Sequence, residues 1–104
     1  MIELPETAEH SLKVPVIVRD EYTVSLEYTS KMHFIHCDIR KWSKGIGQAL
    51  WHDFQLLKFL VNSPVYALHT PDDNKHLKFL KMYAFKYVCD FVDANGDEKQ
   101  LYKA

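Results

Sequence analysis

The chain has 104 residues, with 13 Lys+Arg against 14 Asp+Glu, a net charge of −1 and a hydrophobic content of 47%. That length allows one compact domain over residues 1–104 and excludes two, and the composition excludes a disordered chain. The near-neutral charge argues against strong non-specific affinity for nucleic acid or anionic membrane, and no apolar run approaches the ~20 residues of a membrane span.

Residues 1–13 lack periodicity and read as a loosely held arm. The acidic, polar stretch from Met1 to Glu9 does not resemble a signal peptide, so a cytoplasmic location is expected. Val14 to Val18 is β-branched but contains Pro15, which marks a strand start or an edge. Tyr22, Val24, Leu26 and Tyr28 alternate with Thr23, Ser25, Glu27 and Thr29, the pattern of a half-buried strand in an antiparallel sheet. Ser30-Lys31 turns, and Met32 to Ile39 is a third strand.

The period then changes. Ile46, Leu50, Phe54, Leu57 and Val61 form one helical stripe, which Asn62-Ser63-Pro64 ends. Val65 to Leu68 reads as a buried strand, and Lys75 to Ala84 as a second helix. Tyr87 to Val92 and Lys99 to Tyr102 are strands joined at Asn95-Gly96. This order predicts an α/β (α+β) domain with a mixed, mostly antiparallel sheet and two main helices. The stripe of Phe54, Phe59, Phe79, Tyr83 and Phe85 is assigned to the core. The two cysteines, Cys37 and Cys89, are expected as buried free thiols. Trp42 and Trp51 lie off the main stripe and would mark a partner surface if exposed.

Gly45-x-Gly47 falls between a strand and a helix. A helix start offers unpaired N–H groups and a partial positive charge, and glycine lets a phosphate approach the backbone. Arg40 and Lys44 add positive charge. The chemistry points to an anion site, most naturally a cofactor pyrophosphate. The motif lacks the G-K-[ST] of a Walker loop and the third glycine of a dinucleotide fingerprint. His33-x-x-His36-Cys37 holds ligand-type residues, but positions three apart on a strand face opposite sides, so no metal site is expected.

The run Ile35-His36-Cys37-Asp38-Ile39-Arg40-Lys41-Trp42-Ser43-Lys44-Gly45-Ile46-Gly47-Gln48-Ala49-Leu50 resembles motif A of the GNAT acetyltransferase superfamily. Pro64 to Leu68, Asp73-Asn74 and Leu77 to Phe85 resemble its second half, and the order fits from about Val14 to Tyr102. The usual first strand and first two helices have no counterpart, so this would be a minimal form. His76 to Lys81, with the closing hairpin, is similar to GNAT-like head and internal virion proteins of bacteriophages. That likeness would place the product in the host cytoplasm or the virion.

The resemblance implies acetyl-coenzyme A as cofactor and an unidentified amine as acceptor. Lys44, Gly45, Ile46, Gly47 and Gln48, as a turn, would meet the pyrophosphate. Ile39 and Arg40 would pair with the pantetheine as a strand does, with Asn74 also at the cofactor. His36 or Asp38 would serve as base. The family's catalytic tyrosine aligns with Leu80, its motif-A Arg/Gln with Trp42, and its late glycine with Ala84; Tyr83 is expected to project from a different helix face. The alternative is a non-catalytic GNAT-fold interaction protein of a phage particle or its assembly. The sheet surface left bare by the missing helices predicts a homo-oligomer or a viral protein partner.

Overall fold

The computed structural model describes residues 12–29 and 31–104. In chain order the elements are β1 (Lys13–Val18), β2 (Tyr22–Thr29), β3 (Met32–Ile39), α1 (Lys44–Val61), β4 (Val65–His69), α2 (Asn74–Met82), β5 (Lys86–Val92) and β6 (Glu98–Lys103). The expected arm falls outside the described residues, except that Leu12 is described and Lys13 already belongs to β1. Among the described residues, no helix is long and apolar enough to cross a membrane.

The fold is α/β, as the pattern predicted: one six-stranded sheet in the order β1-β2-β3-β4-β6-β5, antiparallel except where β3 meets β4. Pro15 sits in the edge strand, where a proline is tolerated because one side of the strand has no ladder. Alternation puts Tyr22, Val24, Val65, Ala67, His69 and Tyr102 on one face, all of them buried. Leu50, Phe54 and Leu57 of α1, with Leu80 and Tyr83 at the end of α2, complete the core over that face. No helix covers the opposite face among the described residues.

Both helices carry side-chain caps. Ser43, in an extended conformation, accepts from the Ile46 N–H at 3.2 Å, and Asp73 accepts from the His76 N–H at 3.1 Å. The first cap changes the reading of the glycine motif. Residues 44–48 are the opening of α1 itself, not a turn before it. Asn62 ends α1 in the left-handed region, φ 52°.

The end of α2 is a Schellman motif. The Phe85 N–H reaches the Leu80 carbonyl at 2.9 Å, the Ala84 N–H reaches the Lys81 carbonyl at 3.2 Å, and Ala84 has φ 65°. Glycine takes this conformation without the Cβ penalty. Ala84→Gly is therefore expected to stabilise the domain by about 0.5–1 kcal/mol, seen as a Tm rise of a few degrees. An unchanged or lower Tm would show that the left-handed residue carries no strain.

Two core assignments are corrected. Phe59 is exposed, because it lies on the side of α1 away from Phe54. Cys89 is an exposed thiol, because β5 is the other edge strand.

A cleft where the parallel strands part

The parallel ladder between β3 and β4 is short. His33 pairs with Val65 and Phe34 with Tyr66, and there the pairing ends. Yet β3 runs on to Ile39 and β4 to His69. The strands therefore diverge, and a cleft of about 610 Å³ opens between them. Residues of both sheet faces line it: Ile35, Cys37 and Ala67 from the covered face, Phe34, His36 and Asp38 from the bare one. Its size falls within the range of small-molecule sites.

Three of the expected site residues, His36, Asp38 and Ile39, line this cleft. His36 Nε2 lies 2.8 Å from Glu27 Oε1. With Glu27 ionised, Nε2 carries the proton and Nδ1 is left as the basic nitrogen. Asp38 is turned to Arg40, at 2.9 Å, which leaves His36 as the better base of the two. Burial pushes the Cys37 thiol up to about 11, so it stays protonated and is a poor nucleophile.

Arg40 is not at the cleft. Its guanidinium donates to the backbone carbonyls of Arg19 and Asp20, to Thr23 Oγ1 and to Asp38. These four bonds hold the β1–β2 turn against the end of β3 and occupy most of its donors. The α1 opening is also partly satisfied from within: Ser43 Oγ takes the Ile46 N–H and the Ser43 carbonyl takes the Gly47 N–H at 2.9 Å. Gly45 and Ile46 border a shallower depression with Arg19, Glu21 and Asp53. Lys44, Gln48 and Asn74 line neither hollow.

Gly47 has a different reason to be glycine. A Cβ there would come within 2.9 Å of the Trp42 ring, so the indole lies flush against the helix backbone. Trp42 thus acts in packing.

Tyr83 corrects the sequence reading. Residues three apart on a helix share a side, so Tyr83 follows Leu80 into the core, and both line the cleft. The Tyr83 hydroxyl donates to the Gly47 carbonyl at 2.8 Å, tying the end of α2 to the opening of α1. Burial pushes this phenol up to about 12, so it remains a donor.

The start of α2 supplies cleft residues that were not among the expected site residues. Lys75, His76 and Phe79 line it. His76 Nδ1 lies 2.9 Å from Nδ1 of the fully buried His69. One ring must donate and the other accept. Burial, with the neighbouring His69, lowers the His76 pKa and favours its neutral form. No local sequence signal marks this pair, since a strand end, a turn and a helix start separate its members.

In comparisons with family models, curated proteins and solved structures, nothing matches this chain.

Proposed function

We propose that the chain is a minimal GNAT-like protein whose β3–β4 cleft takes the pantetheine arm of acetyl-coenzyme A. The observation that carries this reading is the parting of the two parallel strands beyond Phe34 and Tyr66. It leaves the Ile35–Ile39 edge of β3 without a β4 partner, and an extended chain bearing amides can bond to such an edge as a strand would. Ile39 holds the pantetheine in this way. Lys75, at the cleft, and Lys44, at the opening of α1, supply positive charge for the diphosphate. No acid stands in that first helical turn to oppose it.

When bound, acetyl-coenzyme A supplies an activated acetyl thioester. His36 takes the proton of the attacking amine at Nδ1, with Glu27 holding the other nitrogen. Tyr83 is the phenol nearest the role that Leu80 cannot fill. Its hydroxyl, held near 12, is given to the Gly47 carbonyl and must leave that bond before it can donate a hydrogen bond to a leaving thiolate.

Calorimetric titration with coenzyme A is expected to show micromolar binding, weakened about tenfold in Lys75→Glu. No binding at millimolar coenzyme A would overturn the proposal. A second reading rests on Arg40 and the α1 opening being occupied by their own neighbours: a non-catalytic protein that keeps the cleft as architecture, within a virus particle or its assembly. Coenzyme A binding without thiol release from acetyl-coenzyme A over a panel of amines would favour it.

A further inference from the structure

Helix α1 is apolar on two sides. Leu50, Phe54 and Leu57 face the sheet and are buried. On the far side lie Ala49, His52, Leu56, Phe59 and Leu60, all exposed, with Trp51 beside them. Leu56, Phe59, Leu60 and Trp51 are 57%, 78%, 68% and 42% exposed. Leu56, Phe59 and Leu60, with the exposed Ala49 and His52, present on the order of 500 Å² of largely apolar surface, at the upper end of what a monomer shows in one patch, while Trp51 touches only the His52 edge of it. A helix apolar all round is normally enclosed.

We infer that a second copy of this chain covers the stripe, the two α1 helices packing antiparallel about a two-fold axis. Positions 49, 52, 56 and 59 repeat at intervals of three and four, the spacing that interdigitates two helices at a shallow angle. Antiparallel pairing sets the bulky Phe59 of one copy over the small Ala49 of the other, and Leu56 over His52. The stripe is thus complementary to itself in size.

It is also compatible with itself in charge. Gln48 and Gln55 flank one side and carry none. On the other side the Asp53 carboxylate is paired with Arg19. The Lys58 ammonium lies 5.5 Å above the Phe54 ring, towards the core. Among the α1 residues that flank the stripe, two-fold symmetry therefore doubles no unpaired charge, and Glu21, in the hollow beside Ala49 and His52, brings one carboxylate per copy to the rim.

Area points the same way. Two such patches remove about 1,000 Å² in all, near the lower limit for a specific interface, so the dimer is weak and concentration-dependent. Edge-to-edge pairing is another route to self-association, and both sheet edges resist it. β1 carries Pro15 and a bulge between Pro15 and Ile17, and β5 is bulged between Tyr87 and Cys89. This surface lies apart from the cleft and does not depend on the cofactor reading.

Analytical ultracentrifugation of the whole chain from micromolar to millimolar concentration tests the inference. The expected result is a reversible monomer–dimer equilibrium, weakened at least about tenfold by Phe59→Glu with an unchanged circular dichroism spectrum. Ala49→Phe probes the orientation: it places two large rings face to face and weakens an antiparallel dimer. A chain monomeric at millimolar concentration overturns the inference and assigns the stripe to a different macromolecule. A dimer that survives Phe59→Glu, or that tightens with Ala49→Phe, overturns it as well.

Discussion

Phe54→Ala is expected to remove about 3–5 kcal/mol of stability, while Phe59→Ala on the same helix changes it by less than about 0.5 kcal/mol. The Phe54 ring stacks on Phe85, centroids 5.3 Å apart and planes at 20°, and meets Tyr83 edge-on at 6.3 Å. It also forms part of the cleft wall. Truncation removes the transfer free energy of a buried ring and leaves a void that opens into an existing hollow, where neighbours have little freedom to collapse. A domain of this size holds about 5–15 kcal/mol in all, so this single change takes a large share of it. Phe59 is mostly exposed and packs against no core residue. Urea titration of both variants at micromolar concentration, below dimer formation, gives the comparison. Similar losses in the two would mean that α1 presents a different side to the sheet.

The two phenylalanines show where the sequence was informative. Strands β2 and β3 were legible to the residue, because period-2 alternation between turn signals leaves little freedom in the boundaries. Both helices were legible from their stripes. The wrong placement of Phe59 has a specific cause: α1 is apolar on both sides, so hydrophobicity alone cannot tell the face that meets the sheet from its opposite. Tyr83 was rightly placed in the core, but the helix face assigned to it failed for a related reason. Its identity was plain, but its direction depended on a three-residue offset at the very end of α2.

The candidate site was legible as a list of residue types and not as an arrangement. His36, Asp38 and Ile39 reach the cleft because strand alternation fixes their direction. Arg40 does not, because the β1–β2 turn lies close enough to engage its guanidinium, a contact formed across 21 residues. Gly47 was correctly noticed, yet the steric demand on it comes from Trp42, whose ring a Cβ at this position would meet at 2.9 Å. A glycine required by close approach looks the same in sequence whether a phosphate or an indole approaches. The His69–His76 pair lacked even a composition signal.

Asp53 carries the second large effect. Its carboxylate receives the Arg19 guanidinium through two bonds, at 2.6 and 2.8 Å, and the hydroxyl of the buried Tyr22 at 2.5 Å. The three groups join the β1–β2 turn, the sheet and α1. Asp53→Ala leaves a buried phenol without an acceptor and is expected to cost about 2 kcal/mol near neutral pH. The hydrogen bonds from Arg19 hold the Asp53 carboxyl below its ordinary range, more than burial raises it. Its folded-state pKa lies below the unfolded one, so the stabilisation is complete above about pH 4 and is lost as pH falls through the folded value.

Tyr22 moves the other way. Burial and the bond to Asp53 push its phenol from 10.0 up to about 12. A group whose folded pKa is raised contributes fully below its unfolded value and loses that contribution as pH rises through the folded one. The network is therefore at full strength between about pH 4 and pH 10 and weakens on both sides. Thermal melts across pH should show the parent and Asp53→Ala furthest apart inside this window and converging in acid. Tyr22→Phe, which keeps the ring and removes only the hydroxyl, should lose the alkaline limb while keeping much of the acid one. Parallel curves for the parent and Asp53→Ala from neutral pH to pH 2 would mean that the carboxylate titrates alike in the folded and unfolded chains, and that Arg19 does not engage it in solution.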